Sequence, residues 1–85
     1  MMKLLYFSWI RERLDMPEEE LDLPSGVKTV GDLLAWQKSR GEEFEAVFQH
    51  EKIVRVALNQ EHVDDRSVSL EGIREIAFFP PMTGG

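Results

Sequence analysis

Arg74-Glu75-Ile76-Ala77-Phe78-Phe79-Pro80-Pro81-Met82-Thr83-Gly84-Gly85 is the stretch that decides the fold. Its first half alternates with a period of two, so Ile76 and Phe78 point one way and Ala77 and Phe79 the other. A strand of about 74–79 with apolar residues on both faces belongs in the middle of a sheet. Pro80 and Pro81 then fix φ, remove two N–H donors and force Phe79 into an extended conformation, so the strand stops there. The remaining residues read as a short stiff spacer ending in a diglycine carboxylate. At about 3.3–3.6 Å per extended residue, positions 80–85 reach roughly 20 Å from the domain. The expected organisation is a domain over residues 1–79 and an extended tail over residues 80–85.

The same two-sided pattern recurs at the start of the chain. Lys3 to Ser8 reads as a strand with Leu5 and Phe7 on one face and Leu4 and Tyr6 on the other, again a central position. Ile10 to Leu14 allows one or two helical turns, broken at Asp15-Met16-Pro17. Between about Glu19 and Leu23 apolar residues alternate with acids, which suits an edge strand. Pro24-Ser25-Gly26 makes a turn.

Thr29-Val30-Gly31-Asp32 has the form of a capping box, so the main helix is expected to begin there. Val30, Leu33 and Leu34 share one of its faces, and Gly41 is the expected residue just past its end. A second short helix, Glu42 to Gln49, offers Phe44, Val47 and Phe48 to the core. From Ile53 the period returns to two, with Val54, Val56 and Leu58 alternating against Arg55 and Ala57. Asn59-Gln60 bends the chain into a short strand around His62 and Val63. Residues 64–69 form a polar loop. Strand, strand, helical crossover, strands and a final apolar strand is the order of an α+β, β-grasp (ubiquitin-like) domain: a mixed sheet packed on one main helix. The first and last strands would pair in parallel at its centre.

Composition narrows what such a domain does. Its 85 residues hold one small core. With no cysteine and two histidines, there is neither a disulfide framework nor a thiolate zinc site, so no metal is expected. Sixteen acidic against ten basic residues give a net charge of −6, which argues against nucleic acid as a partner. The runs Glu18-Glu19-Glu20 and Glu42-Glu43 read as solvated faces with a secondary role in docking to a basic partner. No apolar run reaches the length of a membrane span, and the N-terminal apolar stretch is too short for a secretory signal. No membrane association and a cytoplasmic location are expected.

The chain also lacks a Cys–His pair and a Gly-rich phosphate loop, so it is not expected to be catalytic alone or to bind a cofactor. The terminal carboxylate is the reactive group that remains. An ATP-dependent partner can convert it to an acyl adenylate, and a sulfur or amine nucleophile can then displace AMP. Glycine leaves that carbonyl open from both sides and can enter a channel shaped for bare backbone.

The ending Ala77 to Gly85, the segment Ala57-Leu58-Asn59-Gln60, and Arg11-Glu12 after the first strand together resemble the MoaD family, the small sulfur-carrier subunits of molybdopterin synthase. The resemblance covers essentially the whole chain. It implies that Gly85 is adenylated by an E1-like enzyme using ATP and converted to a thiocarboxylate, with Gly84 beside it as a second functional position. It also implies a large-subunit partner in a heterotetramer of two small and two large subunits, with the catalytic residues of that sulfurtransferase on the large subunit. Sulfur then passes to cyclic pyranopterin monophosphate in molybdenum cofactor biosynthesis. Phe78, Phe79, Pro80, Pro81, Met82 and Thr83 are the expected partner-binding residues. Gly72-Ile73 and Met82 depart from the usual family pattern. Two other readings are a diglycine carrier for thiamine thiazole synthesis and a ubiquitin-like interaction or modifier module. The Phe-Phe-Pro-Pro spacer favours the first reading.

Overall fold

The computed structural model describes residues 1–81. In chain order these form strand β1 (Met2–Tyr6), helix α1 (Ser8–Leu14), β2 (Glu18–Leu21), α2 (Val30–Lys38), α3 (Glu42–Phe48), a 3-10 turn (Glu51–Ile53), β3 (Arg55–Leu58), β4 (Glu61–Val63) and β5 (Glu75–Phe79). The strands make one mixed sheet in the order β2-β1-β5-β3-β4. β1 and β5 run parallel at its centre with Leu4 opposite Ile76 and Tyr6 opposite Phe78. β3 pairs antiparallel with β5, placing Arg55 opposite Phe79, while β2 and β4 occupy the edges. This is the β-grasp architecture.

One face of the sheet carries the core. Leu4, Tyr6, Val56, Leu58, Ile76 and Phe78 pack there against Ile10 and Leu14 of α1, Val30, Leu33 and Leu34 of α2, and Val47 and Phe48 of α3. The Phe78 ring stacks on Tyr6 at 5.5 Å and meets Phe48 edge-on at 5.2 Å. Both are favourable aromatic geometries. Among the described residues no helix lies over the other face. Leu5, Ala77 and Phe79 are only half-buried there, so the two-sided apolar pattern of β1 and β5 marks central strands without marking strands covered on both sides.

Local chemistry sets the element ends. α2 opens with the expected box: Thr29 Oγ1 accepts from the Asp32 N–H at 3.1 Å, and Asp32 Oδ2 accepts from the Thr29 N–H at 3.2 Å. α2 ends at Lys38, with Ser39 as its cap. Gly41 therefore does not close α2, contrary to the expectation from sequence. It precedes α3 with φ 146°, a backbone angle that glycine adopts without strain. β1 is also shorter than expected, because Phe7 caps α1 and Ser8 already belongs to that helix. Asn59 and Gln60 both have positive φ (48° and 71°), the signature of the tight hairpin turn between β3 and β4. The Asn59 side chain accepts from the N–H groups of Arg74 and Glu75 at 3.0 and 3.1 Å. That hairpin thereby fixes the start of β5.

Glu19, in the middle of an acidic run that reads as a solvated face, is instead pinned inward. Tyr6 donates to Glu19 Oε1 at 2.7 Å and Gln37 Nε2 donates to Tyr6 at 2.9 Å. Arg40 donates to both Glu19 oxygens and, at 2.8 Å, to Gln37 Oε1. The Arg40 guanidinium also lies 4.6 Å from the Trp36 ring centre and 4.1 Å from that of Phe44. Gln37 is fully buried, and no buried side-chain polar atom among the described residues lacks a partner. The network ties the edge strand β2 to the α2–α3 corner.

Burial alone would raise the Glu19 pKa, but hydrogen bonds from Arg40 and Tyr6 and the Arg40 charge outweigh it and hold the carboxyl below its usual range. A group with a depressed folded pKa stabilises above its unfolded pKa, and that contribution fades as pH falls through the folded value. Glu19→Gln is therefore expected to lower the urea midpoint near neutral pH. The gap from the parent should close progressively in acid below about pH 4, where the parent carboxyl also protonates. Urea titrations at a series of pH values check this; a gap that widens in acid would contradict it.

Candidate functional site

The end of β5 is where the sequence places the site, and the sheet registers show what surrounds it. β1 runs parallel to β5, so Phe7, whose N–H donates to the Phe78 carbonyl at 3.1 Å, lies level with Phe79. β3 runs the other way with Arg55 opposite Phe79, so Val54 and Ile53 continue to the same end of the sheet as Pro80 and Pro81. Phe7 is 45% exposed and Ile53 42% exposed. These two and Met1 are the large apolar side chains that stand exposed among the described residues. With half-buried Phe79, Pro80 and Pro81, Phe7 and Ile53 make an apolar collar in the sense that all five stand at the end of the sheet from which the chain leaves.

A cleft of about 380 Å³ opens against this collar, lined by Arg55, His62, Asp64, Phe79 and Pro81. Asp64 Oδ1 accepts from Arg55 Nη1 at 3.2 Å and lies 3.2 Å from His62 Nε2. The His62 ring meets Phe79 edge-on at 5.7 Å. All four side chains remain well exposed or half-buried, so the Arg55–Asp64 ion pair contributes little to stability and is free to exchange partners.

The expected partner-binding residues separate here. Phe78 is 0% exposed and sits among Tyr6 and Phe48; it holds the strand and has no surface to offer, which corrects its place in the site. Phe79, Pro80 and Pro81 are accessible at the collar. Met82, Thr83, Gly84 and Gly85 lie outside the described residues. Phe7, Ile53, Arg55 and His62 are additions to the expected set. Strand alternation alone does not find them, because their proximity to the tail depends on the parallel β1–β5 and antiparallel β3–β5 registers. No group of His, Cys, Asp and Glu capable of holding a metal ion occurs among the described residues, and no helix there is long and apolar enough to cross a membrane.

Behind the collar the open sheet face is small and apolar at its centre. Leu5, Ala77 and Ala57 lie in one row across β1, β5 and β3, with Glu18 at one end of the row and His62 at the other. A flat apolar floor with a polar rim is the usual anatomy of a protein-docking surface. The arrangement presents a tail from the centre of such a surface and, among the described residues, carries no catalytic constellation of its own.

Comparison with known proteins agrees with this geometry. The model of the ThiS family matches residues 4–85. No curated protein sequence matches. Among solved structures, a putative molybdopterin converting factor, subunit 1, from Pyrococcus furiosus superposes with a TM-score of 0.74 at 29% identity, covering 95% of this chain and 97% of that one. SAMP1 from Haloferax volcanii superposes at 0.73 with 26% identity, covering 99% and 98%.

The division of labour between the adjacent phenylalanines is testable. Phe78→Ala is expected to destabilise the fold by about 3–5 kcal/mol, whereas Phe79→Ala should cost well under half of that and act on partner binding. Denaturant unfolding of both variants, with partner affinity measured for Phe79→Ala, checks the assignment.

Proposed function

The chain belongs to the ThiS family, whose fold is that of ThiS/MoaD-like sulfur carriers, and from that premise we propose that it is the sulfur-carrying small subunit of a molybdopterin synthase. The observation that carries the reading is the end of β5, where a central strand delivers Phe79-Pro80-Pro81 through an apolar collar beside an uncovered sheet face. The likeness over nearly all of both chains to a protein named as a molybdopterin converting factor subunit 1 supports the choice of pathway.

In this reading Gly85 is the reactive residue. Its carboxylate oxygen attacks the α-phosphorus of ATP on an E1-like activating enzyme, pyrophosphate leaves, and an acyl adenylate results. A sulfide-level nucleophile adds to the carbonyl and AMP departs, leaving a thiocarboxylate. The tail then enters the large subunit, where the thiocarboxylate sulfur bonds to a side-chain carbon of cyclic pyranopterin monophosphate as that carbon's C–O bond breaks, the oxygen leaving as water or with the opened cyclic phosphate. Water cleaves the acyl–sulfur bond and restores the carboxylate. Two such transfers supply the dithiolene of molybdopterin. ATP belongs to the activating enzyme, and the catalytic residues belong to the large subunit, in a complex of two small and two large subunits. The small subunit contributes an unobstructed carbonyl, a stiff spacer and a surface that docks.

The family match to ThiS keeps one second reading, a carrier for thiamine thiazole synthesis with the same activation chemistry and a different acceptor. Supplying the loaded chain in turn to a molybdopterin synthase large subunit and to a thiazole synthase separates the two by which one turns over.

Incubation with ATP, the activating enzyme and a sulfur donor is expected to raise the mass of the chain by the difference between sulfur and oxygen, mapping to Gly85. Adding one residue after Gly85 should abolish the gain while the fold survives, and Gly84→Ala should impair it severely because a methyl must enter a bare-backbone channel. An extended chain loaded as well as the parent, without prior cleavage, would overturn the proposal. Replacing Pro80 and Pro81 together by glycine should leave loading chemistry possible but weaken productive insertion, because a flexible spacer loses more conformational entropy on ordering. Single-turnover sulfur transfer measures that loss.

A further inference from the structure

From the placement of Ile53, Lys52 and Arg55, we propose that docking extends beyond the sheet face onto the 3-10 turn, and that the large subunit meets this turn with an apolar socket flanked by carboxylates. The inference rests on the synthase reading and deepens it by naming the chemistry of the partner surface.

Ile53 is a β-branched apolar side chain left 42% exposed on a short turn, although the core lies next to it at Val54. Its N–H is already satisfied by the His50 carbonyl at 2.9 Å, so backbone demand does not account for its outward position. The β3–β5 register puts it at the end of the sheet from which the tail leaves. A small cleft lined by Gln49, His50, Lys52 and Ile53 adjoins it. Ile53 therefore continues the collar of Phe7, Phe79, Pro80 and Pro81 around one side of the tail root, as an anchor for a pocket on the molecule that receives the tail.

The charges on that side are opposite to those of the molecule as a whole. The chain carries −6, yet exposed Lys52 and half-buried Arg55, with Arg66 and the single acid Asp64, line one groove whose apolar residues are Val30, Leu34, Val54, Val56 and Val63. Asp64 is the carboxylate facing Arg55, and that exposed pair is weak enough to be replaced by a partner carboxylate. Across the sheet, Glu18 on β2 marks the other end of the open face and pairs with Lys3 at 3.7 Å. An apolar floor does not by itself fix how a partner is rotated on it, whereas an acid at one end and cations at the other do. Carboxylates on the large subunit facing Lys52 and Arg55 set the rotation that aims the tail at its channel.

The test uses the full chain and the purified large subunit of molybdopterin synthase from the same organism, with association and dissociation followed at several salt concentrations. Ile53→Ser is expected to unfold at the same temperature as the parent and to dissociate about tenfold faster or more. Lys52→Glu with Arg55→Glu is expected to slow association about tenfold at low salt, with the difference shrinking as salt rises. Asp22→Lys, on the far side of the sheet, should leave both rates near those of the parent. Ile53→Ser and the double charge reversal binding at parental rates would overturn the inference while leaving the synthase reading intact. A parent chain that does not bind the large subunit at all would overturn both.

Discussion

β5 is held on both edges, parallel by β1 and antiparallel by β3, and this two-sided pairing is the constraint on which the rest of the structure depends. Parallel pairing of the first and last strands requires a crossover, and the intervening α1, β2, α2 and α3 supply it. Because those helices all pack on one side, Leu4, Tyr6, Ile76 and Phe78 become core and the opposite face is left to meet something else. The same pairing makes the tail a continuation of a strand that cannot move without breaking two ladders. The chain that leaves the domain at Pro80 and Pro81 therefore has a fixed base.

The anchoring reaches beyond the ladders. Asn59 accepts from the N–H groups of Arg74 and Glu75 where β5 begins, and the Phe78 ring is wedged between Tyr6 and Phe48. Tyr6 in turn belongs to the Glu19–Arg40–Gln37 network that closes the β2 edge against α2 and α3. Burial, with the Glu19 carboxylate beside it, pushes the Tyr6 hydroxyl well above its ordinary pKa, so it stays a donor throughout the physiological range. In a domain of this size, with no disulfide and no metal-binding cluster among the described residues, aromatic stacking and one fully satisfied polar cluster take the place of staples.

Much of this is legible in the chain because it is written in local patterns. Period-two alternation locates β1, β3 and β5; Thr29 to Asp32 announces α2; and the order of elements identifies the β-grasp sheet. The features that escape depend on contacts distant in sequence. Glu19 looks like one of three solvated acids because its partners, Tyr6, Gln37 and Arg40, lie 13 to 21 residues away or reach it through one another. Gly41 looks like the end of α2 because glycine suits both a helix end and a helix start; α2 ends earlier, at its Ser39 cap, and Gly41 caps the start of α3. The resemblance groups Phe78 with Phe79 as partner-binding residues; alternation already sends them to opposite faces, and burial identifies Phe78 as the one in the core. Phe7 and Ile53 join the site only through the registers of β1 and β3 against β5.

Native-state hydrogen exchange on the isolated chain tests the central claim most directly, since amides in a doubly paired central strand open only with global unfolding while edge strands open locally. The amides of β5 that donate into the β1 and β3 ladders should exchange as slowly as any in the molecule and respond to denaturant with the full unfolding slope, well behind those of β4. If β5 exchanged as readily as β4, by a denaturant-independent opening, the tail would not be carried by a fixed central strand and the account would fail.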